Sequence, residues 1–156
     1  FWHTAEVRRL AASAASGETL RFRAALSDPK NGRLLPAGAP ALRPQDEEDL
    51  LEIAVRTTTL DDLSDGPVDF VKIDVEGAEE QVWAGMQGLL DRSPRITVLM
   101  EFNALRCQAP ERTLEDIARR FRLRELHYDA QVRDVAIPQI LPRQEDTLLV
   151  LTHERV

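Results

Sequence analysis

Apolar residues recur along the chain with two periods, and the switches between them divide it into helices and strands. Residues 5–15 (AEVRRLAASAA) are rich in good helix formers, with Val7, Leu10, Ala11 and Ala14 at helical spacing, so they predict a helix stopped by Gly17. Residues 20–26 alternate with period two and predict a short strand. The turn formers Ser27, Asp28, Pro29, Asn31 and Gly32 follow it. Residues 33–50 have a different texture. Pro36, Pro40 and Pro44 sit among Gly and Ala, and Asp46, Glu47, Glu48 and Asp49 come next, which suits a surface loop or lid with a solvated acidic face.

The second half is more regular. Residues 53–59 predict a short strand, 59–63 a turn, and 68–75 (VDFVKIDV) a central strand. A helix is expected over 77–92, with Ala78, Val82, Met86, Leu89 and Leu90 as its apolar stripe and Glu79 and Glu80 in the first turn, where the helix dipole favours acids. The near-continuous apolar run 96–100 (ITVLM) reads as a parallel strand covered on both faces. Thr113 is placed to cap a helix over 114–122, with Asp116 in the capping-box position and Leu114, Ile117, Ala118 and Phe121 inward. Residues 123–132 and 147–152 read as two strands joined by a proline-containing loop. Strand–helix alternation means an α/β domain with a mostly parallel sheet, and the closing strand pair without a helix suggests an antiparallel end.

The bulk numbers exclude some classes. The 156 residues fit one domain. A net charge of −7 argues against nucleic acid or an anionic membrane as the main partner. Cys107 is the one cysteine, which fits a reducing, cytoplasmic setting. No apolar run approaches the roughly 18 residues of a membrane span. No internal repeat is visible.

Chemistry concentrates in the stretch Asp69-Phe70-Val71-Lys72-Ile73-Asp74-Val75-Glu76-Gly77-Ala78-Glu79. Lys72, Asp74 and Glu76 are two apart, so they share one side of an otherwise apolar strand. Buried charges are costly unless paired or functional. Asp74 and Glu76 fall at the strand's carboxyl end, where open α/β sheets bind ligands. The plainer reading pairs Lys72 with one of the acids to order the sheet and lets Glu76 stabilise the helix start. Glu101 and Asn103 follow the next strand in the same way, so neighbouring strands would bring Asp74, Glu76, Glu101 and Asn103 to one rim. His3, His127 and His153 are weaker candidates.

The segments TTLDDL, VDFVKIDVEGAEEQVWAGM and ITVLMEFN closely resemble the FkbM family of S-adenosylmethionine (SAM) dependent methyltransferases. The Lys-Ile-Asp-Val-Glu-Gly-Ala-Glu core is the most specific part. The resemblance runs from about residue 5 to the end and is strongest over 57–103.

It implies a Rossmann-like class I methyltransferase sheet in the order 3-2-1-4-5-7-6, with the last strand antiparallel. Residues 20–26, 68–75 and 96–100 would be the third, fourth and fifth strands, and 123–132 and 147–152 the sixth and seventh. By that analogy Ser27 and Asp28 approach the adenine of the cofactor SAM, and Asp74 lies near its methyl group. Glu76, Glu101 and Asn103 would line the acceptor pocket, with Asp74, Glu76 and Glu101 as the catalytic acids. The implied activity is O-methylation of a hydroxyl on a small natural product or glycan.

The family's Gly-rich turn and ribose-binding acid have no counterpart in the chain. Residues 1–156 are therefore expected to form one partial, N-terminally truncated domain, with the third strand cut off from the fourth. An upstream segment, a partner domain or a second copy would complete it. Two other readings stay open. Asp74 and Glu76 could hold Mg²⁺ for hydrolysis or phosphoryl transfer. Alternatively, the domain could be a degenerate scaffold, with Trp2, Trp83 and the Pro-rich loop making contacts.

Overall fold

The computed structural model describes residues 4–35, 38–41 and 49–153. Nine strands and four short helices follow one another within them: β1 (Ala11–Ala12), β2 (Thr19–Ala25), β3 (Asp28–Leu34), β4 (Leu50–Thr58), β5 (Phe70–Ile73), α1 (Glu79–Ala84), α2 (Gln87–Arg92), β6 (Thr97–Phe102), α3 (Pro110–Ala118), β7 (Arg124–Leu126), β8 (Val132–Asp134), α4 (Ile137–Ile140) and β9 (Thr147–Thr152). The strands form two mixed sheets, ordered β1-β4-β2-β3 and β5-β6-β9-β7-β8. The expected third strand, β2, thus lies in a different sheet from the expected fourth, β5.

The α/β class holds, but the sheets are not mostly parallel. β1–β4 and β5–β6 are the parallel pairs, whereas β2–β3, β2–β4, β6–β9, β7–β8 and β7–β9 are antiparallel. A parallel pair needs a long crossover, and α1 and α2 supply one between β5 and β6. The two-residue turn at Leu26-Ser27 can make only an antiparallel hairpin.

The expected helix over 5–15 is absent. Residues 5–10 have no regular structure, and Ala11–Ala12 pair with Thr57–Thr58. Its apolar stripe has nothing to pack on, since Val7 is 96% exposed, and an isolated helix this short is marginal on propensity alone.

The turn formers at 28–32 lie instead in β3. Gly32 permits this because a Cβ there would sit 2.2 Å from the Phe22 ring, which crosses the strand at that point. Of the expected lid, residues 36–37 and 42–48, with Pro36, Pro44 and most of the acidic run, lie outside the described residues. Arg21 and Arg23 hold residues 39–40 by donating to the Ala39 and Pro40 carbonyls.

The second half is nearer to expectation. β5 is an edge strand rather than a central one, and Phe70 is 56% exposed. The helix over 77–92 breaks at Gly85-Met86 into α1 and α2, yet its whole stripe (Ala78, Val82, Met86, Leu89, Leu90) is buried. Along β6, Val98, Met100 and Phe102 are fully buried while Thr97, Leu99 and Glu101 are half-buried, so only one face is sealed. Thr113 does not cap α3, which starts at Pro110 after Ala109. The Thr113 hydroxyl bonds the Ala109 carbonyl and Glu80, and Asp116 accepts from the Trp83 indole at 3.0 Å. The stretch 123–132 is a β7–β8 hairpin, not a single strand.

One core unites the second sheet with its helices. Ile73, Val98, Met100, Phe102, Leu149 and Leu151 meet Val82, Met86, Leu89, Leu114 and Ile117 there. The first sheet adds Ala12 at its edge. Asp61 ties the halves together by accepting from Gly88 N–H at 3.1 Å and Leu89 N–H at 2.5 Å, while its own N–H donates to the Gly85 carbonyl.

Candidate functional site

The parallel β5–β6 pair, in register at Ile73–Met100, brings two strand ends together. Asp74 follows β5 directly and Glu101 sits one residue beyond Met100, so the two acids become neighbours across the strands. The plainer expectation for Lys72 is met as well, because its ammonium donates to Asp74 at 2.5 Å. That bond, more than the mutual Coulomb attraction, raises the Lys72 pKa.

Beyond Val75 the chain makes a sharp turn. Glu76 and Gly77 both have positive φ, 51° and 99°. A left-handed pair is costly for a non-glycine residue, and two bonds hold it. The buried Glu79 carboxylate accepts from Gly77 N–H at 3.0 Å, and Arg106 donates to Glu76 at 2.8 Å. Glycine is required at 77 for a further reason: a Cβ there would meet Arg106 Cβ at 3.2 Å.

Arg106 also reaches Asp146 at 3.4 Å, just before β9. Asn103, 5% exposed, donates to Asp146 at 2.9 Å and accepts from Leu105 N–H at 3.0 Å. The segments after β5, after β6 and before β9 are therefore joined by one polar network. Asn103 is a hinge pin of that network, with its amide spent on protein partners.

Glu101 differs from its neighbours. Its carboxyl is pushed above the usual range, first by burial and then by the charges of Asp74, Asp146 and Glu76, with Lys72 opposing. Asp74 and Glu76 each have a cation in contact, whereas Glu101 is surrounded mainly by like charge.

Asp74, Val75, Glu76 and Ala78 form one wall of a cleft of about 450 Å³ between the two sheets. Phe22, Gly32, Leu34, Ile53 and Val55 form the opposite wall, and Arg8 to Ala12 lie along the edge. Ser27 and Asp28 are placed elsewhere, at the β2–β3 turn, and do not line the cleft. Neither Glu101 nor Asn103 lines it directly.

Sequence reasoning missed Arg106 and Asp146, which lie in loops without periodicity, and Arg8 and Arg9, which it assigned to a helix. Of the histidines, His127 contacts Glu125 at 3.4 Å and His153 stacks against Phe121, both away from the rim, while His3 lies outside the described residues. Among the described residues no group of three or more His, Cys, Asp or Glu side chains could hold a metal ion. No helix among them is long and apolar enough to cross a membrane.

No curated protein and no solved structure matches the chain. Among protein families, the model of the methyltransferase FkbM domain matches residues 7–130. That span holds β1 to β7, the Glu76–Gly77 turn and the β5–β6 rim, so the chain belongs to the FkbM methyltransferase domain family.

Proposed function

We propose that this chain is a SAM-dependent O-methyltransferase domain acting on a hydroxyl of a sugar or small natural product. The observation that carries this reading is the convergence of Asp74, Glu76 and Glu101 at the carboxyl ends of β5 and β6, within a chain of this family. The strand order supports it too. β5-β6-β9-β7, with β9 antiparallel, has the arrangement of the fourth, fifth, seventh and sixth strands of a Rossmann-like methyltransferase sheet.

The residues present suit the cationic end of the cofactor. A sulfonium is favoured beside carboxylates, and Asp74 and Glu76 face a cleft large enough for a small ligand. Ser27 and Asp28, assigned to the adenine, stand apart from that cleft. When bound, SAM supplies the activated methyl group. Asp74, held by Lys72, and Glu76, held by Arg106, orient the acceptor, which supplies much of the rate in a transfer of this kind. A carboxylate that lines the cleft, Asp74 or Glu76, takes the hydroxyl proton.

Calorimetric titration with S-adenosylhomocysteine tests the cofactor assignment, and absence of binding would overturn it. Release of S-adenosylhomocysteine from SAM with a panel of hydroxylated acceptors tests the roles. Glu76→Gln should keep cofactor binding and lose about 10²–10⁴-fold in turnover. Asp74→Asn should collapse turnover while the fold remains. Unchanged turnover in either variant removes that residue from the mechanism.

A further inference from the structure

The seam cleft has a chemistry that the rim carboxylates do not explain. Its floor is apolar, formed by Leu10, Phe22, Leu34, Ile53, Val55 and Val75. Charge is added by Arg8 and Arg9 along its edge and by Asp74 and Glu76 on its wall. Most of these charges have partners. Asp74 is paired with Lys72, Glu76 with Arg106, and Arg8 with Glu6 at 2.9 Å. Arg9 makes no ion pair among the described residues, so the uncompensated charge on the cleft wall is positive, although the whole chain carries −7.

A ligand that satisfies such a wall needs an apolar body and one anionic group. Burying the body against the floor releases water from apolar surface. The anion gains charge-assisted bonds from a guanidinium, whose fork matches carboxylates, sulfonates and phosphates.

We propose that the cleft binds an amphipathic anion, an aromatic or aliphatic body bearing one carboxylate, sulfonate or phosphate. The anion lies at Arg8 and Arg9, the body against Phe22, Ile53 and Val55, and a hydroxyl of the same molecule faces Asp74 and Glu76. This names the acceptor class for the methyl-transfer reading and rests on that reading. Selectivity then comes from the segment that leads into β1, and the reacting end from the β5–α1 turn.

Fluorescence titration with anilinonaphthalene sulfonate and its uncharged analogue N-phenylnaphthylamine tests the proposal. The wild-type chain should bind the sulfonate about tenfold more tightly than the neutral probe. The double variant Arg8→Ala/Arg9→Ala should lose that preference and keep the affinity for the neutral probe. Ile53→Trp, which fills the floor, should weaken both, with circular dichroism showing that the fold persists. Equal binding of the two probes by the wild type, or a preference that survives loss of both arginines, would overturn the proposal. Titrating the same proteins with S-adenosylhomocysteine separates the two claims. Cofactor binding without sulfonate preference sinks the acceptor class alone, whereas sulfonate preference without cofactor binding sinks the methyl-transfer reading and leaves an anion site.

Discussion

The two sheets are held together by different forces. The second sheet and its helices hold nearly the whole apolar core, with Val98, Met100, Phe102, Leu114, Ile117, Leu149 and Leu151 at 0% exposure. The first sheet buries Ala24, with Leu35 just beyond β3, and otherwise relies on the backbone ladder of β2 with β4 and on Arg21 and Arg23 gripping Glu52. Ladder bonds and ion pairs that water still reaches contribute little net stability, because water competes for the same groups. Apolar burial contributes about 25 cal/mol per Å². The cleft opens where the two regimes meet, which suits a site that must admit a ligand without opening the core.

The largest effect that would sharpen this comparison is in the second core. Phe102→Ala leaves a cavity in a fully buried site and should cost about 3–5 kcal/mol in denaturant unfolding. Phe22→Ala, in the half-buried first sheet, should cost less than half as much. Equal losses would mean that the two regions are a single cooperative unit of even strength.

The seam comes next. Gly85 lies so close to the first sheet that a Cβ there would be 2.1 Å from the Ser13 carbonyl oxygen. Gly85→Ala should therefore push β1 from the α1–α2 junction and cost about 1–3 kcal/mol. Hydrogen exchange should rise first at Ser13 N–H, which bonds the Thr58 carbonyl. Unchanged exchange at that position would show that the halves are not joined there.

The smallest effect concerns the rim. The raised Glu101 pKa means that the folded state holds its proton more tightly than the unfolded chain does. The resulting stability is fully present below the unfolded value near 4.5 and is lost as pH rises through the higher folded value. Above that window Glu101→Gln should stabilise the chain by about 0.5 kcal/mol, as expected when like charges across two strands are relieved. Parallel pH profiles for wild type and variant would contradict the repulsion.

How much could be read in advance follows from the same division. The apolar stripe of 77–92, the β6 run and the closing strand over 147–152 were legible because core residues must repeat with the period of their element. The rim was legible because charges in an apolar strand have few reasons to be there, and Lys72, Asp74, Glu76 and Glu101 all gather at it. Residues 5–15 and 28–34 were misread, whereas the strand read over 20–26 is β2. In residues 5–15 helix propensity and a short apolar spacing were the signals, and both yield to backbone pairing wherever no core covers the stripe. In 28–32 the turn-forming residues follow a hairpin turn already made at Leu26-Ser27, and the Phe22 ring covers Gly32 as strand neighbour.

By itself, the sequence determined the α/β class, the FkbM methyltransferase resemblance and the residue types of the rim, since periodicity and a local motif are properties of contiguous residues. Only the tertiary structure decided that β5 stands at a sheet edge and that Arg106 and Asp146 close the network around Glu76. It also decided that Arg8 and Arg9 face the same cleft as Asp74. Those relations join residues from 30 to about 70 positions apart. Pairings at that range are chosen by how sheets and loops pack against each other, and no local pattern records them.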